Sequence, residues 1–241
     1  MGIWGIRRLS LITWWKWRWG KILSENNLTV PKATSGDALH ATVRAGLSAI
    51  PFAGGAAVEL FQAVIQPPIE KRRQKWMSEV GDRLLELEAQ GLKLEDLQNN
   101  EQFISAVMHA SQAVIRTHQE AKLKALRNAV INVAIGQAPD ETLQHLLLNF
   151  VDSFTEQHLR ILKLFQNPSP PPNVTMGGLS TVLEHNIPEL RQHRELYIQL
   201  WKDLYSRGLV NTEGLNVTMT GNGLASKRTT ELGDSLLSFI E

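Results

Sequence analysis

Cysteine is absent from the 241-residue chain, and this absence excludes disulfide bonds, thiolate metal sites and a cysteine nucleophile. The chain has seven histidines, but none lies three or four residues from another, the spacing that places two metal ligands on one helical turn. We therefore expect no bound metal. The lack of thiols also suits a reducing cytoplasm, where we expect the protein to work.

Motifs for catalysis are also missing. Ser48 lies two residues after a glycine, but the second glycine that a serine-nucleophile elbow requires is absent and the surrounding stretch is apolar. Residues 221–227 approach a phosphate-binding loop, yet the strand that such a loop must follow is not predicted before them. Acidic pairs such as Glu86 and Glu88 lie in polar contexts, which does not favour paired acid and base catalysis. We expect neither an enzyme nor a cofactor.

Positive charge is scarce outside the first part of the chain. The net charge is +1, and residues 1–32 hold six of the 25 basic residues but only one of the 24 acidic residues. The rest of the chain is therefore mildly acidic, without the positive field of a protein that neutralises many phosphates. Because of this charge balance, we expect a protein partner more than duplex DNA.

Tryptophan is concentrated at the start of the chain, where five of the seven lie among arginines and lysines in residues 1–23. Indole rings beside cations suit the headgroup region of an anionic membrane. We interpret residues 1–34 as an arm and linker that anchors the protein peripherally at the inner membrane. The alternatives are a disordered tail or a start codon assigned too far upstream. The candidate anchor residues are Trp14, Trp15, Trp17 and Trp19.

Residues 45–65 form the most apolar stretch, with Glu59 as its only charge. Pro51 and the glycine pair at 54 and 55 argue against one straight helix, since proline removes a backbone donor and glycine weakens a helix. We expect an Ala/Gly-rich hairpin of two short helices, the second over residues 55–66 and ended by the prolines at 67 and 68. The hairpin either inserts into a membrane or is ordinary core. Its candidate membrane residues are Leu47, Ile50, Phe52 and Phe61.

A basic cluster follows the hairpin, with Arg72 and Arg73 flanked by Lys71 and Lys75. Beside an inserting hairpin, such a cluster would contact lipid headgroups. The alternative is a solvated helix face. Further helical patterns continue to residue 153, with Asn100 and Asp140 as N-terminal caps, so we predict a multi-helix domain over residues 35–153.

Residues 154–241 follow a different pattern. We expect helices from Thr155, over residues 179–184 and over residues 188–206, then paired segments at 209–210 and 228–230, and a last helix over residues 231–240. This order predicts a winged-helix-like α+β module with a small two-stranded wing. The chain as a whole is thus expected to be mainly α-helical.

A winged helix suggests two kinds of partner. The third helix carries nearly balanced charges, so we expect the module to bind a protein, with DNA as the alternative. The candidate nucleic-acid contacts are Arg191, Gln192, Arg194 and Lys202 on the third helix, with Lys227 and Arg228 on the wing.

Several short segments resemble the bacterial abortive-infection alpha-type proteins and related uncharacterised helical proteins with a C-terminal winged-helix-like module. The resemblance implies a role near phage defence through harm to the host membrane, with no catalytic residues to transfer. The tryptophan-rich start is not part of the family pattern. The segments that carry the resemblance are the prolines at 67 and 68 with the arginines at 72 and 73, and residues 123–126, 154–164, 204–210 and 229–240.

These observations lead to one hypothesis and one alternative. The hypothesis is a non-enzymatic bacterial defence or stress protein, with a membrane-acting helical domain and a winged helix that senses a partner. The alternative is a DNA-binding transcriptional regulator. The sequence indicates no oligomeric state.

Overall fold

The computed structural model describes residues 55–241, with side chains from residue 62 onward. The predicted tryptophan-rich arm, the linker and the first helix of the hairpin lie outside the described residues. Phe61–Glu241 form one compact unit.

The described residues are mainly α-helical and include one small antiparallel sheet. A single 3-10 turn, Pro188–Leu190, lies between two of the helices. In chain order the elements are α1 Gly55–Ala89, α2 Leu94–Leu97, α3 Glu101–Arg116, α4 Glu120–Ala134, α5 Glu141–Ser153, α6 Glu156–Gln166, β1 Met176–Gly177, α7 Leu179–Asn186, α8 Arg194–Ser206, β2 Met219–Thr220, α9 Gly221–Ala225 and α10 Glu231–Ile240.

Helix α1 corrects one sequence prediction, because it runs unbroken through Pro67 and Pro68 instead of ending there. Each proline removes the donor to the carbonyl four residues earlier, at Ala63 and Val64. Both of these residues are exposed, so water can satisfy the two carbonyl groups. The predicted second helix of the hairpin is thus the first part of a 35-residue helix.

The second half of α1 packs into the core through residues four apart, Trp76, Val80 and Leu84. The Trp76 ring is buried, and its Nε1 donates a hydrogen bond of 3.1 Å to the Leu123 carbonyl of α4. The helix ends at Ala89, shortly before Gly91, whose φ of +108° favours glycine.

Two predicted caps are confirmed. The Asn100 side chain accepts a hydrogen bond from the Phe103 amide at the start of α3, and Asp140 accepts one from the Leu143 amide at the start of α5. Helix α3 packs against α4 and α5. Its buried face contains alanines at 106, 110 and 113, whose small side chains allow close approach of the neighbouring helices.

The third helix of the C-terminal segment begins later than predicted. A 3-10 turn occupies Pro188–Leu190, and α8 starts only at Arg194. His193 has a φ of −116° and a ψ of 53°, outside the helical range, so the two elements cannot form one helix. Proline at the first position of the turn loses no hydrogen bond, which accounts for where the turn starts.

The small sheet differs from the predicted wing. Strands β1 and β2 pair antiparallel, with Met176 opposite Thr220, so one strand comes from before α7. The two segments that were predicted to pair form a single antiparallel bridge at Val210 and Thr229. It is flanked by hydrogen bonds from the Asn211 amide to the Arg228 carbonyl, and from the amide of residue 230 to the carbonyl of residue 209.

The last helix, α10, lies as predicted over Glu231–Ile240 and packs against α4 and α6. Side-chain amides of α4 satisfy the carbonyls at its end. Asn132 Nδ2 donates to the Phe239 carbonyl at 2.9 Å, and Asn128 Nδ2 donates to the Ile240 carbonyl at 2.9 Å. These bonds join the last helix to the helices of residues 101–153.

Candidate functional site

A groove of about 280 Å³ lies between α8 and the loop that precedes β2. Its floor is apolar and buried, since Trp201 and Leu215 are 1% and 2% exposed. Val217 is 52% exposed on its wall. The lining residues are Ile198, Trp201, Lys202, Glu213, Gly214, Leu215, Asn216 and Val217.

Hydrogen bonds fix the floor of the groove. Trp201 Nε1 donates to the Thr212 carbonyl at 2.9 Å, which ties the loop to α8. The Leu215 carbonyl accepts from the Ser180 amide at 3.0 Å, which ties the same loop to α7. A Cβ at Gly178 would lie 2.8 Å from the Leu215 carbonyl oxygen, so this approach requires glycine. The loop is therefore held from two sides.

The rim of the groove carries one charge of each sign. Lys202 and Glu213 both line the groove and both are exposed. An exposed apolar wall between a cation and an anion suits a polypeptide segment that inserts an apolar side chain and pairs its flanking charges.

A larger cleft of about 420 Å³ between α1 and α4 has a different character. Both of its cations pair with acidic residues of the cleft: Arg127 lies 2.8 Å from Glu79, and Arg83 lies 2.5 Å from Glu86. Asp82 and Glu241 also line the cleft, so its lining is polar and acidic. We therefore regard the smaller apolar groove as the better candidate site.

The two candidate nucleic-acid residues of the predicted wing bond to the protein itself. Lys227 pairs with Asp234 of α10. The Arg228 guanidinium donates to the Gly223 carbonyl and lies 3.1 Å from the Met219 sulfur. Each side chain therefore uses at least one donor on an internal contact, although Lys227 remains exposed.

The other nucleic-acid candidates are exposed but separated. Arg191 and Gln192, predicted on the third helix, lie in the turn before α8, and Arg191 donates to the Glu184 carbonyl at 3.3 Å. Arg194 is the first residue of α8. Lys202 lies eight residues beyond Arg194, about 12 Å along the helix. The structure does not gather the six candidates into one basic patch.

The described membrane candidates also contact protein atoms. Arg72 donates to the Ile115 carbonyl at 3.1 Å, and Arg73 pairs with Glu70 at 3.0 Å. The Phe61 side chain lies outside the described residues, as do Trp14, Trp15, Trp17, Trp19, Leu47, Ile50 and Phe52. Within residues 55–241, no helix has a stretch long and apolar enough to cross a bilayer.

Polar groups in the described part of the chain show no catalytic arrangement. No cluster of three or more acidic or histidine side chains between residues 55 and 241 could hold a metal ion. Tyr197 donates to Glu184 Oε1 at 2.8 Å, and its pKa is raised to about 12 by burial and by that carboxylate. It therefore stays protonated at neutral pH and joins α7 to α8 as a structural group.

The sequence did not predict the groove. Trp201 fits the apolar spacing of the predicted third helix and so indicates only a core position, and Leu215 and Val217 lie in a stretch rich in Gly, Asn and Thr. The signal that could have found them is the pair of apolar residues within this polar stretch, two apart and therefore on one side of an extended loop.

Comparisons with known proteins add no relative. No protein-family model matches the chain, and no curated protein or solved structure is similar to it.

Proposed function

We propose that this chain is a non-enzymatic protein whose residues 154–241 bind a protein partner in the groove beside α8. The observation that carries the proposal is the pairing of a buried apolar floor with an exposed Val217 and rim charges at Lys202 and Glu213. The expected occupant is a short peptide segment with one bulky apolar residue, an acidic residue facing Lys202 and a basic residue facing Glu213.

We further propose that residues 154–241 form a winged-helix-like module. The order of elements supports this assignment: α6, β1, α7 and α8, then a segment paired at Val210 and Thr229, and finally α10. In this arrangement α8 corresponds to the third helix of a winged helix. The groove lies between α8 and the loop that precedes β2.

DNA binding is the runner-up, and the contacts of Lys227 and Arg228 argue against it. A titration with duplex DNA at low and high salt tests it directly. Tight binding that weakens steeply with salt would favour the regulator over the protein-binding module, because phosphate contacts release counterions.

The cellular role that we propose is bacterial defence of the abortive-infection kind, in a cytoplasmic protein that is peripheral at the inner membrane. The resemblance of several short segments to abortive-infection alpha-type proteins supports this role. The tryptophans of residues 1–23 support the membrane contact. Liposome flotation of the full chain and of a chain lacking residues 1–30 tests the membrane part. Equal flotation of both chains would refute the anchor.

The groove is tested by selecting peptides from a random displayed library on the immobilised full chain. We expect the selected peptides to share an apolar residue with flanking charges. Val217→Asp should weaken their binding about 10- to 100-fold, because burial of an apolar side chain contributes about 1.5–3 kcal/mol. Leu196→Asp is the control, since Leu196 is a similarly exposed apolar residue, 49% exposed on α8, but does not line the groove.

Two outcomes would contradict the proposal. One is equal loss of peptide binding in both variants, and the other is unchanged binding in Val217→Asp. Expression of the same variants in a bacterial host under phage challenge, read together with membrane potential, extends the test to the cell. Protection lost with Val217→Asp and kept with Leu196→Asp would link the groove to defence.

A further inference from the structure

His158 lies buried in the first turn of α6 and is 6% exposed. Its Nδ1 atom is 3.1 Å from the backbone nitrogen of Thr155 and 2.9 Å from the Thr155 hydroxyl oxygen. A backbone N–H group can only donate, so Nδ1 must carry a lone pair. The neutral ring therefore holds its proton on Nε2.

The Nε2 side of the ring faces α8. Asp203 Oδ2 lies 3.5 Å away, in line to receive the proton that Nε2 carries. The ring also stacks on Phe154, with centroids 4.7 Å apart and planes 14° from parallel. One side chain thus caps α6 and contacts α8 at the same time.

Charged groups from α8 and α4 lie near the ring. Asp203 and Arg207 come from the end of α8, and the Arg207 guanidinium lies 5.1 Å above the Phe154 ring. Lys122 of α4 is buried nearby and donates to the Asp152 carbonyl of α5 at 2.9 Å. The surroundings therefore hold two cations and one acceptor for the imidazole.

A second proton has only one place to go, which is Nδ1. It could then donate to the Thr155 hydroxyl oxygen, but the Thr155 backbone N–H would lose its acceptor and face another donor. The same proton would add positive charge beside Arg207 and Lys122. Both effects destabilise the capped first turn of α6, and the attraction of the charged ring to Asp203 offsets part of them.

We propose that His158 is a protonation switch that caps the start of α6 through its contact with Thr155 when neutral and loosens that cap when protonated. Nothing in the sequence marked this residue for such a role. The switch belongs to the packing of residues 154–241, and it does not depend on the peptide groove.

The direction of the pH dependence follows from the surroundings. Burial lowers the pKa of His158 below its ordinary value, the neighbouring cations lower it further, and Asp203 offsets part of the effect. A histidine with a lowered pKa in the folded state stabilises the fold above its unfolded pKa, and this stabilisation is lost as pH falls through the folded pKa. Acid therefore loosens the cap.

His158→Gln tests the switch. Glutamine at the third helical position can accept the Thr155 N–H as in a capping box, but it does not titrate between about pH 8 and pH 5. We expect the urea midpoint of the wild-type chain to fall between these two pH values and that of His158→Gln to fall by less than half as much. His118→Gln, at an exposed histidine, should keep the wild-type fall.

Nitrogen NMR of the wild-type chain supplies a second readout that does not depend on a variant. At about pH 8 the Nε2-protonated tautomer of His158 should dominate, and the ring should titrate below the free histidine value of about 6.5. A dominant Nδ1-protonated tautomer would overturn the proposal, and so would a ring that titrates at or above the free value. The proposal would also be overturned if the urea midpoint of folded His158→Gln fell with pH as much as that of the wild-type chain.

Discussion

Replacement of Gly233 by alanine should destabilise the chain strongly, because α10 passes the end of α8 at that residue. A Cβ built there would overlap the Leu209 carbonyl oxygen and lie 3.3 Å from the Thr229 Cβ. The overlap is with backbone, so no side-chain rotation can relieve it. The segment that includes Leu209 would have to separate from the start of α10.

The cost follows from the contacts at that approach. Overpacking costs about 1–3 kcal/mol. Separation would also strain the bond from the Thr230 amide to the Leu209 carbonyl at 3.1 Å and that from the Thr230 hydroxyl to the Gly208 carbonyl at 2.6 Å, each contributing about 1 kcal/mol. Alanine is favoured over glycine in a helix by about 1 kcal/mol, which offsets part of this cost. We expect a net loss of about 3 kcal/mol in the free energy of unfolding.

Urea denaturation followed by far-UV circular dichroism measures this loss. Gly81→Ala is the matched control, because Gly81 also lies in a helix but an added Cβ meets no atom within 4 Å. The control should gain about 0.5–1 kcal/mol from helix propensity alone. Equal stability of Gly233→Ala and the wild-type chain would refute the close approach of α10 to Leu209.

Three further substitutions test other contacts. Trp76→Phe removes the donor to the Leu123 carbonyl and should cost about 1–3 kcal/mol in urea denaturation, and an unchanged midpoint would contradict that hydrogen bond. Asn132→Ala removes a donor to the end of α10 and should speed hydrogen exchange in that helix relative to α3, whereas equal rates would argue against the contact. Burial lowers the pKa of Lys122, so the stability of the wild-type chain should rise with pH through the alkaline range. Urea denaturation at several pH values measures this rise, and Lys122→Met should remove part of it.

Element ends that depend on local chemistry could be predicted from the sequence. Asn100 and Asp140 cap their helices because their side chains accept from an amide three residues on, and this geometry is contained in four consecutive residues. Gly91, Gly136 and Gly208 end helices because each has a positive φ that other residues rarely adopt.

Features that depend on distant contacts were predicted less well. The sequence shows two helix-breaking prolines at 67 and 68, but it does not show that the carbonyls they leave free lie in an exposed stretch. Likewise β1 is only two residues long, and its pairing with β2 joins positions more than 40 residues apart. Short segments of this kind have no period by which to recognise them.

The candidate site was the least predictable part. Trp201 fits the apolar spacing of the third helix, whereas Leu215 lies in a polar loop, and both are buried. The Thr212 and Leu215 carbonyls hold the loop beside α8 and α7. Trp201 supplies a side-chain donor and Gly178 allows the close approach, but the backbone carbonyls that they meet lie outside their own elements, and no local pattern indicates them.

The basic residues that the sequence marked for partners illustrate a general difficulty in reading function from charge. Arg228 and Arg72 donate to backbone carbonyls, and Lys227 pairs with Asp234. Removing any of these cations disturbs an internal contact, so lost binding in such a variant would report altered folding as readily as a lost ligand. Lys202 is exposed on the groove rim, so its replacement by glutamine should change the recognition of acidic peptides without a large change in stability. Only substitutions of this second kind separate binding from folding in this protein.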